Sequence, residues 1–288
     1  MKIGTLVLLV IGIIIANPSV KVPGLTELAS TSTGPTFSGN LFPFLFITIA
    51  CGAVSGFHAT QSPLMARCLK TEQEGLPVFG GAMITEGIIA FIWAAAALTF
   101  YGTPEALGAA TANGKAPALA IQMISESWMG HVGSILVMVG VVILPISTGD
   151  GALRVTRLMI ADCFKLNQEQ LSRRLMIAIP LFAAAIAVSS MDYAIIWQYF
   201  GWANQLLAAA TLWAVSIYLR SKNRCCWTAA VPAAFLSLVV LQYLFSSPEM
   251  CGFSYEASLV CSVLLVAVIG VLCLFRGSGL EKAEEPNL

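Results

Sequence analysis

Long apolar runs separated by short polar segments pattern this chain from one end to the other. A helix needs about 20 mostly apolar residues to cross roughly 30 Å of hydrocarbon, because unpaired backbone groups are too costly in lipid. The runs predict eight transmembrane helices, at residues 3–16, 41–57, 78–100, 131–147, 176–190, 193–219, 227–245 and 255–275. The first is short and follows a single lysine, so it also fits the core of a signal peptide; the seven later spans favour a membrane helix. The expected architecture is an all-α integral membrane bundle over residues 1–275, followed by a polar, mobile cytoplasmic tail at 276–288.

Two connecting segments are longer than tight turns. Residues 18–40 are rich in Ser, Thr, Gly and Pro and read as loop. Within 103–130, Pro117 is placed to open a short interfacial helix, with Ala120, Met123, Ile124 and Trp128 on one side and Gln122, Ser125 and Glu126 on the other. Alternate connections differ sharply in basic residues. With the N-terminus inside, 13 Lys and Arg fall on the inner side and only Lys21 and Lys115 on the outer. Cytoplasmic loops carry the excess of Lys and Arg, and one missed helix would invert every later loop. The split therefore supports eight spans with both termini cytoplasmic, in a bacterial inner membrane.

Composition agrees, with 58% hydrophobic and 10% charged residues, against about 25% charged in a soluble domain. Lys plus Arg equals Asp plus Glu, at 15 each, and no basic run suggests nucleic acid. The eight cysteines show no C-x-x-C spacing and read as small apolar residues. There is no G-x-x-x-x-G-K-[ST], H-E-x-x-H or G-x-S-x-G, so ATP-driven transport, zinc hydrolysis and serine hydrolysis have no foothold. No enzyme activity, cofactor or metal is expected. His58 and His131 fall on opposite sides of the topology, which argues against a shared metal site.

Three places carry candidate chemistry. In CGAVSGFHATQSP, residues 51–63, Gly52, Ser55, Gly56, His58, Thr60, Gln61 and Ser62 interrupt a helix that is strongly apolar through Ala50. Broken helices in transporters place free backbone groups and helix ends at mid-membrane sites. The alternative is that Gly52-x-x-x-Gly56 only permits close packing and that His58 marks the cytoplasmic boundary. In LPISTGDGALR, residues 144–154, Ser147, Thr148 and Asp150 could coordinate a small cation or a proton, or form an ordinary helix end with Thr148 or Asp150 as cap. Glu86 lies eight residues into its span, about 12 Å of rise. An ionisable group at that depth is costly and often serves ion coupling; the alternative is a protonated carboxyl bonded to a neighbouring helix. Asn204 and Gln205 are expected to bond between helices, and Trp197, Tyr199 and Trp202 to form an aromatic wall or an interfacial belt.

The run FPFLFITIACGAVSGFHATQSPLMARCLK at 42–70 closely resembles the carbon starvation protein A family of bacterial membrane transporters. PVFGGAMITEGIIAFIWAAAALTFYG at 77–102, ILPISTGDGALRVTRLMIAD at 143–162 and WQYFGWANQLLAA at 197–209 carry the same resemblance, closer to the shorter branch of the family. It implies uptake of peptides or pyruvate during nutrient limitation, driven by a proton gradient, in a bundle similar to LeuT-type inverted-repeat transporters. The eight spans would then match the fifth to twelfth helices of a twelve-helix protein, with the broken span equivalent to the sixth and N-terminal helices lacking. The expected partners are a peptide or pyruvate, a coupling proton and the bilayer. A rival expectation is a truncated, non-transporting membrane fragment or scaffold that depends on helices from another chain.

Overall fold

In a computed structural model, residues 41–111, 117–191 and 193–280 are described. The expected first span, the 18–40 loop and residues 281–288 lie outside them. The described residues form helices and no strand. Those from Pro63 to Trp197 make one compact unit; those up to Ser62, with those from Gln198 onward, make another.

The first unit begins after a short connection that bears a 3-10 turn, Glu72–Glu74, and a π turn, Leu76–Gly80. These lead without a gap into an apolar helix, Gly81–Tyr101. The whole run from Glu72 to Tyr101 is long and apolar enough to cross a membrane. A short helix, Pro104–Thr111, precedes the longest one, Pro117–Cys163. That helix is divided at Gly130, whose φ of 67° and ψ of −175° suit only glycine. The segment before the kink is the expected short helix: Ile124 is buried and Trp128 meets the Phe100 ring edge-on at 6.2 Å. Ser125 departs from its expected polar side. It is fully buried, its hydroxyl donating to the Ile121 carbonyl at 2.7 Å.

After Gly130 the helix runs unbroken to Cys163, about 50 Å at 1.5 Å per residue. The end expected between 144 and 154 is absent: that stretch is helical throughout, and neither Thr148 nor Asp150 caps anything. Asp150 Oδ2 accepts from the Arg154 guanidinium at 2.8 Å, an i,i+4 pair that supports helix across the two glycines flanking the carboxylate. Leu171–Ser189 then packs back against this long helix.

In the second unit the expected span at 41–57 is two helices: α1, Leu41–Ala53, and α2, Gly56–Ala66, which runs on past Ser62. The rest is α3, Tyr193–Ser221, beginning in the first unit, α4, Trp227–Ser246, and α5, Tyr255–Leu280. α5 ends five residues beyond the expected limit at 275. Ile47, Val239 and Tyr243 form a core between α1 and α4, edged by Phe44 against Tyr243 at 5.3 Å and Phe46 against Phe235 at 5.0 Å. α3 joins α4 through Ala208, Ala209 and Leu236, and through Trp213, which lies among Ala230 and Ala233 and donates to Ser237 Oγ at 2.9 Å.

Five helices among the described residues are long and apolar enough to cross a membrane: Glu72–Tyr101, Leu119–Cys163, Leu171–Ser189, Trp227–Ser246 and Tyr255–Cys273. Their outward faces are apolar. Phe91, Ile146, Ile186 and Leu264 each expose more than half their surface, which suits lipid and not water. The seven described cysteines are all free.

α4 and α5 are clamped by a buried polar cluster. Gln242, Ser258 and Ser262 are fully buried; Gln242 Nε2 donates to Ser258 Oγ at 2.9 Å, and its Oε1 accepts from Ser262 Oγ at 3.4 Å. The Ser258 hydroxyl donates to the Tyr255 carbonyl of its own helix, and the single Ser262 proton is shared between Gln242 Oε1 and the Ser258 carbonyl, the nearer acceptor at 2.7 Å. Gln242→Leu is therefore expected to cost only about 1 kcal/mol, within the usual range for side-chain bonds between membrane helices. Thermal unfolding of the purified chain checks this as a small drop in midpoint.

Candidate functional site

The break between α1 and α2 falls at Val54 and Ser55. Its origin is legible in the residues: Gly52 lies in the last turn of α1, Val54 is β-branched, and Ser55 has a hydroxyl that competes for backbone groups. The two segments have 13 and 11 residues, about 20 and 16 Å of rise. Together they are long enough to cover the roughly 30 Å of a hydrocarbon layer. The carbonyl end of α1 and the amide end of α2, partial charges of opposite sign, meet there.

α3 holds the break open. Asn204 Oδ1 accepts two hydrogen bonds, from the Phe57 backbone N–H at 2.8 Å and from the Ser55 hydroxyl at 3.2 Å. Phe57 is the second residue of α2, so its N–H is one of the donors a helix start leaves without a partner. Ser55, in the N-cap position, accepts the His58 N–H through its carbonyl at 3.2 Å but does not cap α2 with its hydroxyl oxygen. It hands its proton to Asn204, which caps the helix from another element. Only glycine fits beside it: a Cβ on Gly56 would lie 2.1 Å from the Asn204 carbonyl oxygen and 2.8 Å from the Ala208 nitrogen.

Other bonds fix α3 in this position. Gln205, fully buried, donates from Nε2 to the Phe46 carbonyl of α1 at 3.3 Å, and its Oε1 has no hydrogen-bond partner among the described residues. Trp202 Nε1 donates to the Val240 carbonyl of α4 at 3.2 Å. Gly201, Asn204, Gln205 and Ala208 are spaced i, i+3, i+4 and i+7, one face of α3 turned to the broken pair. Trp202 thus anchors helix to helix, whereas Trp197 and Tyr199 are exposed.

Several expected site residues are engaged locally. The Thr60 hydroxyl donates to the Phe57 carbonyl at 2.7 Å and the Ser62 hydroxyl to the His58 carbonyl at 2.6 Å. Their protons are spent on α2, leaving only acceptor capacity for a ligand. Gln61 keeps Nε2 buried with no partner among the described residues, and His58 is partly buried. Pro63 lacks an N–H, so the Ala59 carbonyl loses its usual helical donor. The structure thus brings Ser55, Gly56 and the start of α2 together with Asn204, a residue that sequence reasoning assigned to helix bonding without finding its partner. The small and polar stripe on α3 was the available signal.

Glu86, Ser147, Thr148 and Asp150 belong to the first unit. Glu86 is partly buried and lies close to the midpoint of the Glu72–Tyr101 run. Thr148 and Asp150 lie on the unbroken long helix, Thr148 exposed and Asp150 paired with Arg154.

The chain matches the family described as Carbon starvation protein CstA over residues 1–129 and 105–242. The peptide transporter CstA of Escherichia coli K12 is 30% identical over a region covering 88% of this chain and 46% of that protein. The peptide transporter CstA of Bacillus subtilis 168 is 29% identical, over 92% of this chain and 53% of that protein. The pyruvate/proton symporter BtsT of E. coli K12 is 46% identical over 93 residues, 32% of this chain and 13% of that protein. The chain spans about half the length of the two peptide transporters. No solved structure matches it.

Proposed function

This chain belongs to the carbon starvation protein CstA family, and on that premise we propose that it takes part in secondary active uptake of a peptide or of pyruvate during carbon starvation, coupled to protons. The observation that carries the reading is the helix break at Val54 and Ser55 with Asn204 seated on it. A mid-membrane break offers helix ends and backbone groups to a carboxylate without placing full charges in lipid, and both proposed substrates carry one.

In this reading the chain contributes eight spans to a LeuT-like bundle in the bacterial inner membrane, with both termini cytoplasmic and transport by alternating access. The backbone at Gly52 to Gly56, with Ser55, Thr60, Gln61 and Ser62, holds the substrate; Thr60 and Ser62 contribute as acceptors for the N–H groups of a peptide, which pyruvate lacks. His58 relays or tunes a proton in this reading. Ser147, Thr148 and Asp150 are the candidate ion-binding set of the first unit, Asp150 exchanging Arg154 for the ion.

Glu86 is the coupling carboxyl, since an ionisable group so far into an apolar run is retained for a purpose. The test is accumulation of labelled pyruvate and of a labelled dipeptide in proteoliposomes holding the 288-residue chain, with and without an imposed pH gradient. Accumulation of one substrate that depends on the gradient is the expected result; no accumulation by folded protein would overturn the reading. With one proton per substrate, a gradient of one pH unit supports about tenfold accumulation, one decade per 1.36 kcal/mol. Glu86→Gln is expected to reduce this to equilibration while substrate exchange persists, and unchanged accumulation would remove Glu86 from coupling.

A further inference from the structure

The turn between the long helix Pro117–Cys163 and the helix Leu171–Ser189 combines two features that transport leaves unused. One is an apolar groove of about 430 Å³, lined by Ile160, Phe164, Leu166, Met176, Ile177 and Pro180. Pro180 helps to create it, since the ring excludes the hydrogen bond to the Met176 carbonyl. The other is a set of cations on the same faces. Arg157 precedes Ile160 by three residues and Phe164 by seven; Arg173 precedes Met176 by three and Ile177 by four; Arg174 precedes Ile177 by three. At those spacings side chains share a helix face. Lys165 lies in the turn itself, at a φ of 52°.

These cations are available. Lys165, Arg173 and Arg174 are exposed. Arg174 Nε donates to the Gln168 carbonyl, which ties the head group to the turn and leaves its terminal nitrogens for another acceptor. Arg157 Nε and both polar atoms of the Gln168 side chain are buried with no hydrogen-bond partner among the described residues. The two carboxylates of the turn do not neutralise the set. Glu169 Oε2 accepts from Asn167 Nδ2 at 3.4 Å, Asp162 is exposed, and neither forms an ion pair with the four cations among the described residues.

The position relative to a bilayer follows from length. Leu171–Ser189 has 19 residues, about 28 Å of rise, so when it crosses the hydrocarbon its first turn lies at the boundary. A groove for a chain of methylenes and a cluster of donors for a phosphate then meet at the depth where a phospholipid changes from tail to headgroup. We propose that this turn is a binding site for an anionic phospholipid, its phosphate held by Lys165, Arg173 and Arg174 and one acyl chain laid along Ile160, Phe164 and Met176. A soluble anion would use the cations but not the groove; a zwitterionic lipid would use the groove but gain little from the cations. The proposal requires a membrane-embedded chain and stands independently of the transported substrate.

The test is equilibrium binding of fluorescently labelled phosphatidylglycerol to the purified full chain in an uncharged detergent, with phosphatidylcholine as the comparison. The expected result is at least tenfold preference for phosphatidylglycerol. Arg173→Gln with Arg174→Gln is expected to weaken it about twenty-fivefold, near fivefold per cation removed, while Arg173→Lys with Arg174→Lys stays within about twofold. Water-soluble glycerophosphoglycerol, which has the headgroup and no chains, is expected to compete at least tenfold more poorly than the intact lipid. These side chains are exposed, so the variants fold, and an unchanged melting midpoint verifies it. Equal binding of the two lipids, unchanged binding by the glutamine variant, or competition by inorganic phosphate as strong as that by lipid would each overturn the proposal.

Discussion

Gly56→Ala is expected to abolish measurable uptake and to lower the unfolding midpoint of the purified chain by roughly 10 °C, on the scale of 2–4 °C per kcal/mol for chains of this size. The added Cβ would sit 2.1 Å from the Asn204 carbonyl oxygen and 2.8 Å from the Ala208 nitrogen. Both are backbone atoms of α3, so no side-chain rotation relieves the contact. Overpacking ordinarily costs about 1–3 kcal/mol, and a clash between two backbones belongs at the upper end. For accommodation, α3 must withdraw from α2, and with it goes the Asn204 cap. Gly81→Ala is the control, because its Cβ meets nothing within 4 Å; it is expected to melt with the parent chain. A Gly56→Ala protein that melts and transports like the parent would show that α3 does not press on the break.

Asn204→Leu carries the second large effect, chiefly by chemistry. Leucine keeps asparagine's branching and heavy-atom count, though it is bulkier, and accepts nothing, so the Phe57 N–H and the Ser55 hydroxyl lose their common acceptor. Each buried donor left unpaired costs about 1–3 kcal/mol. The sum, about 2–6 kcal/mol, corresponds to at least a thirtyfold fall in uptake if the open break is the working conformation. Asn204→Asp keeps the acceptor and is expected to retain more activity than Asn204→Leu. A double-mutant cycle with Ser55→Ala separates the pair. Ser55→Ala should cost much less in the Asn204→Leu background than in the parent, because its partner is already gone. Additive losses would place the effect of Asn204 elsewhere.

Much of the helical architecture is legible one segment at a time, because apolar length and turn chemistry are local properties. The starts at Tyr193, Trp227 and Tyr255 coincide with the first residues of observed helices, and Gly52, Val54 and Ser55 announce the break. The misreading at 144–154 has an equally local cause. Pro145, Gly149 and Gly151 are weak helix formers, and their joint signal pointed to an end. The Asp150–Arg154 pair and the apolar helix on either side outweigh it. Ser125 reads as polar by residue type, although a serine hydroxyl can be satisfied by a carbonyl of its own helix and be buried at little cost.

The sequence by itself determined that this is an α-helical membrane chain of the CstA family, that its second apolar run is broken, and that Asn204 and Gln205 bond between helices. Hydropathy, glycine and family motifs are written along the chain and need no neighbour to be read. Only the tertiary structure decided what the break is made against: that the donor left over at Phe57 is taken by Asn204, almost 150 residues away, and that Gly56 is needed because α3 approaches there. A helix start states in its sequence that donors are left unpaired; which acceptor reaches them depends on how distant helices pack, and no local pattern encodes that.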